Sequence, residues 1–373
     1  MQSLIEAALA KGNSTTPAHL QKFQNVESPD DMELEELVKG LQLSIKVVGC
    51  GGGGCNTVTR LMEEGVVGAE LLAANTDARH LVNVHAHRKV LIGRHRTRGL
   101  GAGGNPAQGE ASAQEADEEL RGLIKGAHIV FVTAGMGGGT GTGSAPYVAH
   151  IAKQEGALVI SFVTTPFHGE GRQRMSTAQA GVAKLAGIAD TVVVLNNDKL
   201  LQVSPKLPLN DAFRVLDELL MNSIKALIEL ITKPGLVNVD YNDLRTIMSG
   251  GGVSVMGLAS TDETSNRAEA AVNELFGSPF LEYDISRASG ALIKVTGGPD
   301  LTLSEAQKVA ELLQTRINPN ARIIWGAGIE PDMSGQLRVM MVVTGVDGSG
   351  LTGSSVAPRA QAGGKSFGLD VMQ

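Results

Sequence analysis

The sequence is poor in most of what marks a secreted, membrane-spanning or nucleic-acid-coating protein. Two cysteines, Cys50 and Cys55, in 373 residues cannot build a disulfide framework, and such usage is that of a cytosolic protein. No hydrophobic run is long. Stretches such as residues 127–134 and 191–195 fall far short of the ~20 apolar residues that cross a bilayer, so no direct membrane insertion is expected. Residues 1–12 hold no basic segment followed by a clean apolar one, so no secretory signal is expected either. Positive charge is not in excess: 32 Lys and Arg stand against 39 Asp and Glu, a net charge of −7, which argues against a nucleic-acid partner. The G-x-x-x-x-G-K-[ST] loop is missing. Gly364-Lys365-Ser366 has Arg359 where its first glycine should stand, which excludes a P-loop NTPase. Aromatic residues make up only 3%.

What is present is a 42% hydrophobic chain, enough for a sizeable core, and 47 glycines, about twice the usual share. The glycines cluster between short apolar segments at 44–49, 69–75, 89–92, 128–133, 157–164 and 191–195, which read as buried strands. Helical patterns lie between them, near 56–64, 110–125, 143–155 and 174–187. Alternation of this kind means a mostly parallel sheet covered on both faces, with its ligand at the carboxyl ends of the strands. Residues 209–232 form an uninterrupted helical pattern, roughly 36 Å long at helical rise. Beyond it, strands near 253–259, 291–296, 322–329 and 337–344, with helices near 266–276 and 303–317, read as a smaller α+β domain. Thr302 and Glu305 have the spacing of a capping box.

The expected organisation is therefore a mobile arm at 1–42, a Rossmann-like α/β domain at 43–208, a central helix at 209–232, an α+β domain at 233–346 and a flexible Gly/Ser/Ala/Pro-rich linker at 347–373. That linker ends in a short apolar patch, residues 367–372 (FGLDVM), suited to engaging a partner.

Three segments have the composition to wrap phosphates with backbone amides. The first runs from Gly49 to Gly54 and leads into a helix opened by Asn56. The second spans 98–106, and the third, 135–143, holds six glycines and two threonines in nine residues. Glycine lets N–H groups point at an anion without a Cβ in the way, and a helix N-terminus adds its positive dipole end. A single dinucleotide fingerprint uses one such loop rather than three.

The third loop with its approach, AGMGGGTGTG at 134–143, resembles the signature of the tubulin/FtsZ superfamily of GTPases, and the other loops match in order over roughly 45–346. The resemblance is to FtsZ-family cell-division proteins of archaeal type. It implies a tubulin/FtsZ-like fold, binding of GTP and GDP, Mg²⁺ on the phosphates with no residue assigned as metal ligand, and a place at the division site. It further implies roles for individual residues. Gly51, Gly52, Gly53 and Asn56 resemble the diphosphate loop, and Asn75 and Asp77 the second loop. Ala102, Gly103, Gly104 and Asn105 resemble the γ-phosphate-sensing loop. Gly137, Gly138, Gly139, Thr140, Gly141 and Thr142 resemble the phosphate-gripping loop. Glu170 would meet the ribose hydroxyls and Arg174 phosphate or base. Asn197 and Asp217 match the guanine readers, with Phe213 placed to stack on the ring. The chain departs from the family pattern at Asn196, at His168-Gly169 and at Gln173.

Residues 238–243 (NVDYND) resemble the family's synergy loop, which assigns a catalytic role to Asn238, Asp240 and Asp243. Paired carboxylates can orient and polarise an attacking water. If Asp217 touches guanine, the central helix runs on to Thr232, roughly 22 Å farther, and carries the acids away from the chain's own nucleotide. They could then serve only a neighbour, through a head-to-tail contact that propagates into a filament. Other candidates carry less. His85 and His87 have ligand-like spacing but no carboxylate or cysteine partner, and read as surface residues. The acidic run from Glu115 to Glu119 reads as the solvated face of a helix, and Cys50 and Cys55 as small structural residues. The tail resembles the motif by which family members engage a membrane tether, here an adaptor of SepF type. Two other readings stand beside this one: an NAD-dependent oxidoreductase on a Rossmann-like sheet, and a non-hydrolysing GTP-binding regulator of the same superfamily.

Overall fold

A computed structural model describes residues 43–348, apart from 207, 234, 238, 264, 286 and 287. The expected arm at 1–42, the tail patch at 367–372 and Asn238 lie outside the described residues.

Six parallel strands build the first half of one sheet. They are β1 (Ile45–Cys50), β2 (Glu70–Asn75), β3 (Arg88–Leu91), β4 (Ile129–Gly135), β5 (Leu158–Thr165) and β6 (Thr191–Asn196). Their spatial order is β3-β2-β1-β4-β5-β6, so the direction of winding reverses between β1 and β4. That is where an open α/β sheet leaves a crevice at its carboxyl edge. The strands are nearly continuous in Val, Ile, Leu and Ala because both faces are covered. On one face lie α3 (Pro106–Glu115), α4 (Asp117–Ile124), α5 (Thr140–Gln154) and α6 (Arg172–Ala186), packed on Val130, Val132 and Ala134 of β4. Ile129, Phe131 and Thr133 therefore point to the opposite face, where α1 (Gly51–Glu63) packs against β4. The short α2 (Ala78–Asn83) follows β2, and α7 (Asp198–Val203) follows β6.

The long helix forms as its pattern dictates: α8 spans Leu209–Thr232, 24 residues. Leu216, Leu220, Ile224, Leu227 and Ile228 are buried at helical spacing and form one apolar stripe. Ion pairs fix its position. Lys225 Nζ meets Glu64 Oε1 at the end of α1 at 2.6 Å, and Glu229 Oε2 meets Lys294 Nζ at 2.6 Å. The chain then forms α9 (Tyr241–Met248), β7 (Gly252–Thr261), α10 (Arg267–Gly277), β8 (Gly290–Gly297), α11 (Leu303–Gln314), β9 (Arg322–Ile329) and β10 (Leu337–Thr344). Thr302 and Glu305 make the capping box at the start of α11. Strand β10 lies antiparallel between β7 and β8. The two halves share one ten-stranded sheet, because β6 pairs with β7 from Thr191↔Gly252 to Val193↔Ser254.

Three local expectations need correction. Helix α1 begins at Gly51, inside the glycine run and more than a turn before Asn56. Gly51 adopts φ +70°, and a Cβ there would sit 2.7 Å from the Gly141 nitrogen, so close backbone packing overrides the low helix propensity of glycine. The single helix expected at 110–125 is two, since the chain turns at Ala116 (φ −99°, ψ 19°). That turn also divides the acidic run, which is not one solvated face: Glu115 accepts from the His95 N–H at 2.9 Å, and Asp117 from the Tyr147 hydroxyl at 2.9 Å.

Helix α3 rests on α5 through glycine. A Cβ at Gly143 would lie 2.0 Å from the Pro106 carbonyl oxygen and 2.6 Å from the Glu110 nitrogen. Gly143→Ala should therefore cost about 1–3 kcal/mol, the range of overpacked cores, read as a lowered denaturant midpoint. Gly138→Ala, with nothing within 4 Å of the new methyl, should stay within about 0.5 kcal/mol of wild type.

Candidate functional site

The loops that follow β1 and β4 meet at the crevice between those strands and wall a cleft of about 400 Å³. One wall is backbone. Gly52 and Gly53 come from the first turn of α1, and Gly138, Gly139, Thr140 and Gly141 from the start of α5. Neither helix has an acidic residue in its first turn, so two positive dipole ends face the cleft unopposed. A Cβ at Gly52 or at Gly138 would meet nothing within 4 Å, which places these two backbones against open space. Thr142 Oγ1 accepts from the Gly137 N–H at 2.9 Å and fixes the turn from inside.

The loop at 97–105 backs this wall. A Cβ at Gly139 would lie 2.7 Å from the Asn105 nitrogen and 2.9 Å from the Ala102 Cβ, so that segment rests directly on the α5 loop. The Gly101 N–H donates to the Thr76 carbonyl at 3.1 Å, and the Thr76 and Thr140 hydroxyls meet at 2.6 Å.

The other wall carries side chains. Glu170, in the loop after β5, accepts from the Phe167 N–H at 2.8 Å and pairs with Arg174 at 3.2 Å. Asn197 follows β6 and is only 4% exposed, and its Oδ1 is buried without a hydrogen-bond partner. Such an acceptor costs free energy until something donates to it. Phe213 on α8 is 39% exposed and meets Phe167 edge to face, with centroids 5.4 Å apart. Asp217 lies one turn further along α8. Burial pushes its carboxyl up to about 6, against the pull of the Arg60 guanidinium.

Of the residues singled out from sequence, twelve line the cleft: Gly52, Gly53 and Asn56; Gly138, Gly139, Thr140 and Gly141; Glu170 and Arg174; and Asn197, Phe213 and Asp217. Gly51, Asn75, Gly137, Thr142, Ala102, Gly103 and Gly104 do not line it, and Gly103 and Gly104 are exposed beside it. Asp77 and Asn105 cap helices: Asp77 accepts from the Arg79 and His80 N–H groups, and Asn105 from that of Ala107. His80, Thr164 and Leu216 also line the cleft and escaped the sequence reading. His80 Nε2 donates to Asn56 Oδ1 at 3.1 Å, and its Nδ1 accepts from Asn75 Nδ2 at 3.2 Å. The Asp77 cap, which sets the phase of α2, is the only sequence signal that could have placed His80 there.

The acid pair lies elsewhere. Asp240 is the N-cap of α9, accepting from the Asp243 N–H at 2.8 Å, and both residues are exposed. The Tyr241 hydroxyl reaches the His128 carbonyl, just before β4 begins, at 3.3 Å, and Met248 O accepts from Thr191 Oγ1 at the start of β6. Helix α9 thus sits at the amino ends of the strands whose carboxyl ends wall the cleft. Along the seven residues of β4 that separation is about 20 Å at ~3.3 Å per residue.

Among the described residues no group of three or more His, Cys, Asp or Glu could hold a metal, and no helix is long and apolar enough to cross a membrane. Burial raises both thiols, Cys50 to about 12 and Cys55 upward as well, which leaves them unreactive.

Residues 44–205 match the model of the GTPase domain of the tubulin/FtsZ family, and residues 252–347 that of the FtsZ family's C-terminal domain. The chain is 46% identical to cell division protein FtsZ 1 of Archaeoglobus fulgidus over the full length of both. It is 51% identical to the protein of the same name from Halobacterium salinarum, over 88% of this chain and 82% of that one. Among solved structures, an empty FtsZ dimer from M. jannaschii superposes with a TM-score of 0.81 at 49% identity, covering 85% of this chain and 92% of that one.

Asp217 generates a stability prediction. The folded state keeps its proton up to about pH 6, whereas an unfolded aspartate releases it near 3.8, so folding stability falls as pH rises through that interval. Asp217→Asn removes this loss. Between about pH 4 and about pH 7 the variant should gain on wild type by up to ~3 kcal/mol in ligand-free denaturation; parallel curves would contradict the assignment.

Proposed function

Since the chain belongs to the FtsZ family of tubulin-like GTPases, we propose that it is a cell-division GTPase that assembles head to tail into filaments at the division site. In this reading each catalytic site is completed by Asp240 and Asp243 of the next subunit. The observation that carries the proposal is the polarity of the sheet: the cleft opens at the carboxyl ends of β1, β4, β5 and β6, and the acids stand at the amino ends of β4 and β6.

The α- and β-phosphates of GTP would lie against the N–H groups at the starts of α1 and α5, with the γ-phosphate against 102–105. Glu170 would accept from the ribose hydroxyls. Guanine would lie on Phe213, with its N1–H and N2–H₂ donating to the Asp217 carboxylate and the orphaned Asn197 Oδ1. Mg²⁺ supplies charge neutralisation on the phosphates when bound. It would be held chiefly by phosphate oxygens and water, since no lysine or carboxylate cage lines the cleft.

Hydrolysis transfers the γ-phosphoryl group from GDP to water. The carboxylates of the neighbour's Asp240 and Asp243 orient that water and draw on its proton as the P–O bond to GDP breaks. A surface that offers the cleft at one end and the acids at the other makes heterologous contacts, which do not close and so extend into a filament. The dimeric relative from M. jannaschii is in keeping with self-association. Family membership sets aside an NAD-dependent oxidoreductase, and the exposed acid pair argues against a non-hydrolysing regulator. The adaptor partner of SepF type rests on the sequence of 367–372 alone.

Asp243→Ala should bind GTP and GDP as wild type does yet lose at least ~100-fold in turnover, and its polymers should outlast those of wild type in light scattering. Wild-type phosphate release from that variant would overturn the assignment.

A further inference from the structure

Asp217 has a partner that does not line the cleft. Arg60, on α1, stands on the other side of the carboxylate, with Nε 3.8 Å from Asp217 Oδ2 and Nη1 3.6 Å from Glu218 Oε2. N–H···O hydrogen bonds close at about 2.7–3.2 Å, so this contact gives charge without occupying lone pairs. The side chains of Arg60 and Asp217 are 26% and 18% exposed, so water only partly screens them. Asp217 is thus a half-enclosed carboxylate that lines the cleft, with a permanent cation beside it at a distance longer than a closed hydrogen bond.

We propose that Arg60 is a positioning residue for guanine recognition: it holds positive charge beside Asp217 without consuming its acceptors, and so keeps the carboxylate fit to receive the N–H groups of guanine near neutral pH. The inference rests on the reading of Asp217 as the guanine acceptor. Its chemical content is a choice between two hydrogen-bond patterns. An ionised carboxylate accepts twice, which suits guanine N1–H and N2–H₂ and repels adenine N1. A protonated carboxyl carries its own O–H, which clashes with guanine N1–H and suits adenine N1. Whichever group controls the proton on Asp217 therefore controls base preference. Two charged groups face Asp217: Arg60 from α1, which favours the ionised form, and Glu218 from α8 itself, which opposes it, as does burial. Removal of Arg60 leaves only the two opposing influences.

The test measures GDP and ADP affinity of the full chain by equilibrium titration from about pH 5 to about pH 8.5, in wild type, Arg60→Met, Arg60→Lys and Asp217→Asn. The phosphates of GDP titrate in the same range but identically in every variant, so differences between variants isolate the carboxyl. In wild type GDP affinity should fall as pH drops below about 6. In Arg60→Met that midpoint should move up by about one pH unit, the size of a neighbouring charge's effect, and GDP should lose roughly three- to tenfold against ADP at pH 7. Arg60→Lys should return midpoint and preference to near the wild-type values, which a purely packing role for the arginine would not do. An unmoved midpoint in Arg60→Met, with Asp217→Asn still weakening GDP, would overturn the role of Arg60 alone. Wild-type GDP affinity in Asp217→Asn would overturn the reading of the base site on which it rests.

Discussion

A parallel sheet has two unlike ends, and that polarity is the constraint on which this molecule depends. Every strand from β1 to β6 points the same way, so every loop that follows a strand opens on one side. Glycine in those loops brings two helix N-termini to bare backbone at a single crevice. The chain then has to return, and α8 does so as a rod 24 residues long, pinned to α1 by Lys225 and to β8 by Glu229. The next polar cluster, at the start of α9, is delivered to the opposite end. Under the proposed function, a site divided in this way would be complete only between copies, and the filament would follow from that division rather than stand as an added property.

The cleft holds two acceptors in surroundings that cost free energy unless a donor meets them. Asn197 Oδ1 is buried without a donor, and the Asp217 carboxylate is held where burial disfavours its charge. Both belong to residues that line one cleft, so under the proposed function a ligand rich in N–H donors would relieve both. Arg60 and Glu218 then act as opposing weights on a single proton. The thiols of Cys50 and Cys55, close to the backbone wall of the cleft, are kept protonated by burial.

The fold was legible in the sequence because its strands and long helix carry strong periodic signals, and because α8 has no interior glycine or proline to obscure its limits. Of the twelve cleft residues, the glycines, Thr140 and Asn56 were legible as local clusters at strand ends, whereas Glu170, Arg174, Asn197, Phe213 and Asp217 were placed only by the resemblance. What escaped was set by tertiary contact. The start of α1 inside four glycines depends on Gly51 seating against Gly141, and the break at Ala116 has neither glycine nor proline to announce it. His80 and Arg60 are ordinary helix residues until α2 and α8 are placed beside α1. The continuity of the sheet rests on three residue pairs between β6 and β7, too short a match to read from either strand.

The central claim, that one molecule completes the site of the next, is tested most directly by complementation. Asp217→Asn spoils the base site and leaves the acids intact, while Asp243→Ala does the reverse. Each variant alone should release phosphate slowly from GTP. Mixed in equal amounts, they should recover a substantial part of wild-type turnover, because some junctions pair an intact cleft with an intact acid pair. A mixture no faster than the mean of its two components would contradict a site shared between subunits.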